Sequence, residues 1–133
     1  MSNPNVAMVQ GLYATFGRAD VAAILAVLDP NVDWTVNGRS SDYPVFGNWK
    51  TPAGVQDFFK LVAEYENFTE FSPRDIYAAD DKVFVLGHYA GKINKTGKSY
   101  ASDWIHIFTV RNGKVLSFRE FNDSHQFVAA YRG

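Results

Sequence analysis

The sequence predicts an α+β fold in which three helices pack on a long, strongly curved, mainly antiparallel sheet enclosing an aromatic-lined pocket. Three observations lead there. Apolar residues at helical spacing, behind proline-containing helix starts, occupy the first half of the chain. Four long runs rich in β-branched and aromatic residues, separated by short turns, occupy the second. Eleven Phe, seven Tyr and three Trp in 133 residues exceed what a core of this size needs and leave rings to line a concave site.

Taken in order, Ser2 or Asn3 followed by Pro4 reads as a helix start. Val6, Val9, Tyr13 and Phe16 then recur on one face to about Gly17. Asp20 caps a second helix over VAAILAVL, which Asp29-Pro30 stops, because the residue before proline is driven out of the helical region. NVDWTVNG alternates Val32, Trp34 and Val36 as a strand, and residues 37–50 read as a loop whose Tyr43, Phe46 and Trp49 suggest a rim or lid over something apolar. Thr51-Pro52 opens a third helix with Val55, Phe58, Phe59 and Val62 as its buried stripe, ending near Glu66. Residues 68–79, 82–94, 98–111 and 114–123 read as the strands of a meander, turned at Asp80-Asp81, Asn94 to Gly97 and Asn112-Gly113. The tail SHQFVAAYRG reads as either a short helix or an added edge strand.

Composition narrows the function. The length suits one domain over residues 1–133. A formal net charge of −1 without a basic block gives no support to nucleic-acid binding. The absence of cysteine removes disulfides, thiolate metal sites and a Cys nucleophile. Three histidines without metal-ligand spacing predict no metal site. GKINKTGK lacks phosphate-loop spacing and falls in a hairpin turn, and there is no GxSxG elbow. MSNPNVAMVQ has no leader pattern and no apolar run reaches spanning length, so the expectation is a cytoplasmic protein with no membrane partner. What remains is proton transfer or binding.

The candidates for that chemistry are His88, Asp103 to His106, Glu120 and Asp123. Period-two alternation puts Trp104, His106 and Phe108 on one face of their strand, and Phe118, Glu120 and Asn122 on one face of the next. If both faces point inward, an imidazole and a carboxyl lie among aromatic rings, where desolvation and mutual charge tune acid/base groups. Each has a plain structural alternative. His106 or His88 as hydrogen-bonded wall residues, His125 on the surface, Asp123 as a helix cap, Glu120 paired with Arg119, and Trp34, Trp49 and Trp104 as core all fit the same pattern.

The order helix, helix, strand, Thr-Pro helix and four-strand meander resembles the ketosteroid-isomerase-like, or nuclear-transport-factor-like, superfamily, in particular its SnoaL-like branch. VQGLYATF, DVAAILAVLDPNVDW, WIHIFTVRNGKV and FREFNDSHQF carry the likeness over essentially the whole chain. The resemblance implies a cone-shaped, cystatin-like α+β barrel with an apolar pocket for a small hydrophobic ligand, a homodimer packed through the outer sheet faces, and no cofactor. Relatives include isomerases, cyclases, hydratases, epoxide hydrolases and non-catalytic binding modules, so the resemblance implies cofactor-free isomerase, cyclase or hydratase chemistry on a carbonyl compound as the leading expectation. In SnoaL-like polyketide cyclases a late aspartate is the acid/base, a role that by position falls on Asp123 with His106 beside it. Ketosteroid isomerases need a first-strand carboxylate, where Val36 or Asn37 stands here. His106 replaces their donor Asp, and Phe16 their donor Tyr, with Tyr13 one turn earlier, so that mechanism is not implied. The expected site is thus catalytic Asp123 and His106, with Tyr13, Trp34, Phe46, Trp49, Phe59, His88, Trp104, Phe108 and Glu120 around the substrate. The competing expectations are a ligand-binding or dimerisation module without catalysis, and a fully packed interior.

Overall fold

In the computed structural model, which describes residues 3–133, helix α1 (Pro4–Gly17) starts where Asn3 Oδ1 accepts from the backbone N–H groups of Asn5 and Val6, at 2.9 and 3.3 Å. Ser2, the alternative cap, lies outside the described residues. Asp20 caps α2 (Val21–Leu25) by accepting from the Ala23 N–H. That helix is shorter than the sequence suggests, because strand β1 (Leu28–Val36) begins before Pro30 and not after it. The pairing of β1 with a later strand shifts register between Leu28 and Asp33, and Pro30 sits in that irregularity, where its missing N–H interrupts no ladder.

The presumed loop after β1 contributes a further strand, β2 (Gly47–Lys50), with Trp49 opposite Trp34. Tyr43 and Phe46 are not a rim. Both are buried, Tyr43 edge-on to Phe46 and stacked on Phe127. Helix α3 (Thr51–Tyr65) buries Val55 and Phe58, and Thr51 Oγ1 accepts from the Gly54 N–H. Strands β3 (Glu66–Ala79), β4 (Lys82–Ile93), β5 (Ser99–Arg111) and β6 (Lys114–Asn122) form the meander. Its last turn places Asn112 and Gly113 at φ of 53° and 73°, the left-handed pair that a two-residue hairpin requires. The tail is a helix, α4 (Ser124–Arg132), burying Phe127 and Ala130.

The sheet runs β2-β1-β6-β5-β4-β3, with β1 parallel to β6 and the other pairs antiparallel. Two register irregularities in β3, at Phe68/Glu70 and Pro73/Asp75, bend the edge strand. Alternation settles the faces. Val83, Val85, Gly87 and Tyr89 of β4 point inside with Trp104, His106 and Phe108 of β5 and Phe118 of β6. Leu86, Ile105 and Phe121, in register across three strands, form an exposed apolar row outside. Among the described residues no helix is long and apolar enough to cross a membrane.

Candidate active site

The β5–β6 register sets His106 directly opposite Glu120, and the two side chains meet at 2.7 Å between Nε2 and Oε1. A carboxylate only accepts, so Nε2 carries the ring proton and Nδ1 presents a lone pair. Tyr13, one helical turn before Phe16 on α1, places its Oη 2.6 Å from that Nδ1 and donates to it. The other Glu120 oxygen, Oε2, accepts from Tyr89 Oη at 3.1 Å and Asn122 Nδ2 at 2.8 Å, and Asn122 also donates to Tyr89 Oη at 2.8 Å. Five side chains from α1, β4, β5 and β6 thus form one network, and it fixes the tautomer of a histidine that is 4% exposed.

Aromatic packing holds this geometry. The Trp104 indole stacks on the His106 ring at 3.9 Å, and Phe118 meets it edge-on at 4.7 Å. Gly87, opposite Trp104, leaves room for the indole. A Cβ there would collide with the indole and sit 2.6 Å from the Ser72 carbonyl oxygen. Burial and the Glu120 charge push the Tyr13 phenol above its ordinary pKa, and the same forces act on Tyr89, so both stay protonated donors.

The network opens on a cavity of about 90 Å³. Its walls are almost wholly aromatic and aliphatic, with Tyr13, Tyr89, His106, Glu120, Asn122 and Glu66 as the polar lining. The apolar wall residues that keep partial exposure, Leu12, Phe16, Phe59, Val62, Phe68 and Phe71, belong to α1, α3 and β3 and form an apolar rim; Tyr13, Glu66, Glu120 and Asn122 are also partly exposed. Glu66, first residue of β3, accepts from Tyr43 Oη at 2.8 Å. The residue as a whole keeps some exposure, but its carboxyl is enclosed, and burial raises its pKa to about 8.

Of the residues named from sequence, Tyr13, Trp34, Phe46, Phe59, His106, Phe108 and Glu120 line the cavity. Trp104 stands behind the wall as the platform for His106. Three lie elsewhere. Asp123 is exposed at the β6–α4 junction, its backbone N–H donating to Ser102 Oγ, because alternation gives it the outward parity of Phe121 and not that of Glu120. His88 shares the outward parity of Leu86 and pairs there with the exposed Asp103 at 2.9 Å. Trp49 packs on Phe58 from β2, outside the cavity. Glu66 and Tyr89 lie outside the expected site, and Asn122 enters the expectation only as a residue sharing the strand face of Glu120. The inward parity of Tyr89 with Val83 and Val85 was the signal available for it, and Glu66 had none beyond its place at the end of α3.

Comparison with known proteins follows the same lines. A family model described as SnoaL-like domain matches residues 9–118. No curated protein matches the chain. Among solved structures, an NTF2-like protein from Burkholderia pseudomallei K96243 shares 25% identity, covers 100% of both chains and superposes with a TM-score of 0.89. An NTF2-like protein from Burkholderia xenovorans LB400 shares 28% identity over 95% of this chain and 94% of its own, with a TM-score of 0.85. TerC, co-crystallized with polyporic acid, is alike in fold at 24% identity, with 98% and 100% coverage and a TM-score of 0.86.

Proposed function

Because the chain belongs to the SnoaL-like domain family, we propose that its cavity is the active site of a cofactor-independent acid/base isomerase or cyclase acting on a small hydrophobic carbonyl compound. The observation that carries this reading is the continuous chain Tyr13, His106, Glu120, joined at 2.6 and 2.7 Å and ending on the cavity wall. The acid in the reaction is a C–H bond next to the substrate carbonyl. Its proton passes to Tyr13 Oη while the Tyr13 hydroxyl proton passes to His106 Nδ1, and the C–H electron pair enters the enolate. The imidazolium so formed is stabilised by the Glu120 carboxylate. No free phenolate arises, which suits a phenol whose ionisation burial opposes. Reversal returns the proton, to another carbon in an isomerisation or to the new alkoxide after ring closure in a cyclisation. The role expected of Asp123 falls to Glu120 in this scheme.

The test is solvent-deuterium exchange at the α-carbons of cyclohexanone and 2-tetralone, followed by NMR. Exchange above the buffer rate that disappears in His106→Gln is expected. Bound ketone without exchange, or equal exchange in the variant, refutes the scheme.

The size of the cavity favours a second reading. About 90 Å³ is below the roughly 300–1,000 Å³ of ordinary ligand sites and the ~150 Å³ of an engineered cavity that holds benzene. A substrate therefore requires the rim of α1, α3 and β3 to open, whereas an interior packed for stability does not. Ketone binding without exchange supports a non-catalytic binding module, and no binding supports the packed interior. The proposal extends to a cytoplasmic homodimer joined through the Leu86, Ile105 and Phe121 row. Sedimentation equilibrium checks the dimer, with Ile105→Glu expected to halve the mass.

A further inference from the structure

The relay leaves one buried ionisable group of the cavity unused. Glu66 lines the same cavity and enters no ion pair among the described residues. Its Oε2 accepts from Tyr43, while Oε1 makes no hydrogen bond with any described residue. The polar side-chain atoms fully enclosed without a partner are Trp34 Nε1, Tyr100 Oη, Trp104 Nε1 and Asn122 Oδ1. Oε1 is not one of them, so it keeps some accessible surface, and Glu66 is a lining residue of the cavity. A carboxylate without a cation, in an apolar wall and near a second carboxylate, is costly, and the neutral acid is not.

We propose that Glu66 is a second substrate-binding group, a neutral carboxyl that donates its Oε1 hydrogen to the oxygen of a bound carbonyl compound. As a binding group it stands on its own geometry, and as a catalytic one it rests on the proton-transfer reading above. In that reading Glu66 is the acid that meets the developing enolate oxygen while Tyr13 and His106 take the carbon-bound proton. The step then balances within the cavity: the proton leaves carbon for the relay, and the charge that appears on oxygen is met by the Glu66 hydrogen bond. The ligand class narrows to apolar molecules with a hydrogen-bond-accepting oxygen.

The groups facing Glu66 are Tyr43 from the β1–β2 loop, Tyr89 of β4, Tyr100 of β5 and Glu120 of β6, with no cation among them. Burial is the largest influence and raises the Glu66 pKa to about 8, the Tyr43 hydrogen bond opposes it, and the Glu120 charge adds to it. The three tyrosines are all pushed above their ordinary range and do not titrate near pH 8.

The experiment is calorimetric binding of cyclohexanone and 2-tetralone against cyclohexane and tetralin, from pH 6 to pH 9.5. Each ketone is expected to bind wild type about threefold to tenfold more tightly than its hydrocarbon at pH 6. That preference should fade around pH 8. In Glu66→Gln, whose amide still donates, the preference should persist across the range, although His106 and the rest of the network are intact. In Glu66→Leu it should be absent at every pH. Should the leucine variant fail to fold, the wild-type and glutamine pH series decide alone. A ketone preference that is flat with pH in wild type, or that survives in Glu66→Leu, overturns the proposal, and so does ketone exchange without any such preference. A Glu66-dependent preference without deuterium exchange upholds it and overturns the proton-transfer reading. No binding of any probe overturns both.

Discussion

Replacing Glu120 tests the relay most sharply, and the structure distinguishes two replacements. Glu120→Ala removes the acceptor of His106 Nε2, Tyr89 Oη and Asn122 Nδ2 at once. Asn122 still donates to Tyr89 Oη at 2.8 Å, but the imidazole N–H and the Tyr89 O–H, both buried, lose their acceptor, at roughly 1–3 kcal/mol each. With the space left by the side chain, a total loss of about 3–6 kcal/mol follows, a large share of the roughly 5–15 kcal/mol stability of an ordinary domain. Glu120→Gln keeps the volume but not the logic. If its carbonyl faces His106, its NH₂ opposes the Asn122 NH₂. If its NH₂ faces His106 instead, Nε2 must surrender its proton, the proton moves to Nδ1, and Tyr13 turns from donor into acceptor. In either orientation no carboxylate stabilises the imidazolium. The expected result is a loss of about 10²–10⁴-fold in α-deuterium exchange against a stability loss of only about 1 kcal/mol in urea unfolding. Exchange in Glu120→Gln within tenfold of wild type, in a variant that unfolds at a similar urea midpoint, would refute the reasoning.

Asp123→Asn, by contrast, is expected to leave exchange unchanged and stability within about 0.5 kcal/mol, since the side chain is exposed and makes no cap hydrogen bond; kinetics and urea unfolding check both. Gly87→Ala should cost about 1–3 kcal/mol and lower exchange by displacing the Trp104 indole from His106, because the Ser72 carbonyl 2.6 Å from the new methyl belongs to backbone and cannot swing away; a changed tryptophan emission spectrum should accompany it. Glu66, with a folded pKa of about 8 above its ordinary value, binds more protons folded than unfolded between about pH 4.5 and 8. Its contribution to stability is therefore complete at low pH and lost as pH rises through that window. Melting temperatures of wild type should fall relative to Glu66→Gln from pH 5 to pH 9, and parallel curves would contradict the buried, neutral carboxyl.

What was legible in the sequence follows from the range of the forces that encode it. Hairpin turns and strand alternation are local, so the meander lies within two residues of its expected boundaries, and parity alone sets Trp104, His106 and Phe108 on one face and Phe118 and Glu120 on another, while burial in the folded chain decides that both turn inward. The same parity, carried one strand back and three residues on, excludes His88 and Asp123. Family position had favoured Asp123, and position along a chain does not carry the face of a strand. The stretch around Pro30 misled for a different reason. A proline forbids the helix before it, but only the register of the parallel partner decides whether the chain there joins a strand. Glu66 was beyond reach because the polar groups that hold and perturb its carboxyl are distant in sequence. The Tyr43 that binds it and the Glu120 that repels its charge arrive through tertiary closure from 23 and 54 positions away, by the residue numbers themselves. A cavity whose base network is written in the strand pattern, and whose second carboxyl is set by closure, requires the folded chain before its chemistry can be stated. That is also why the pH dependence of Glu66, and not any further motif, is the decisive observation on this site.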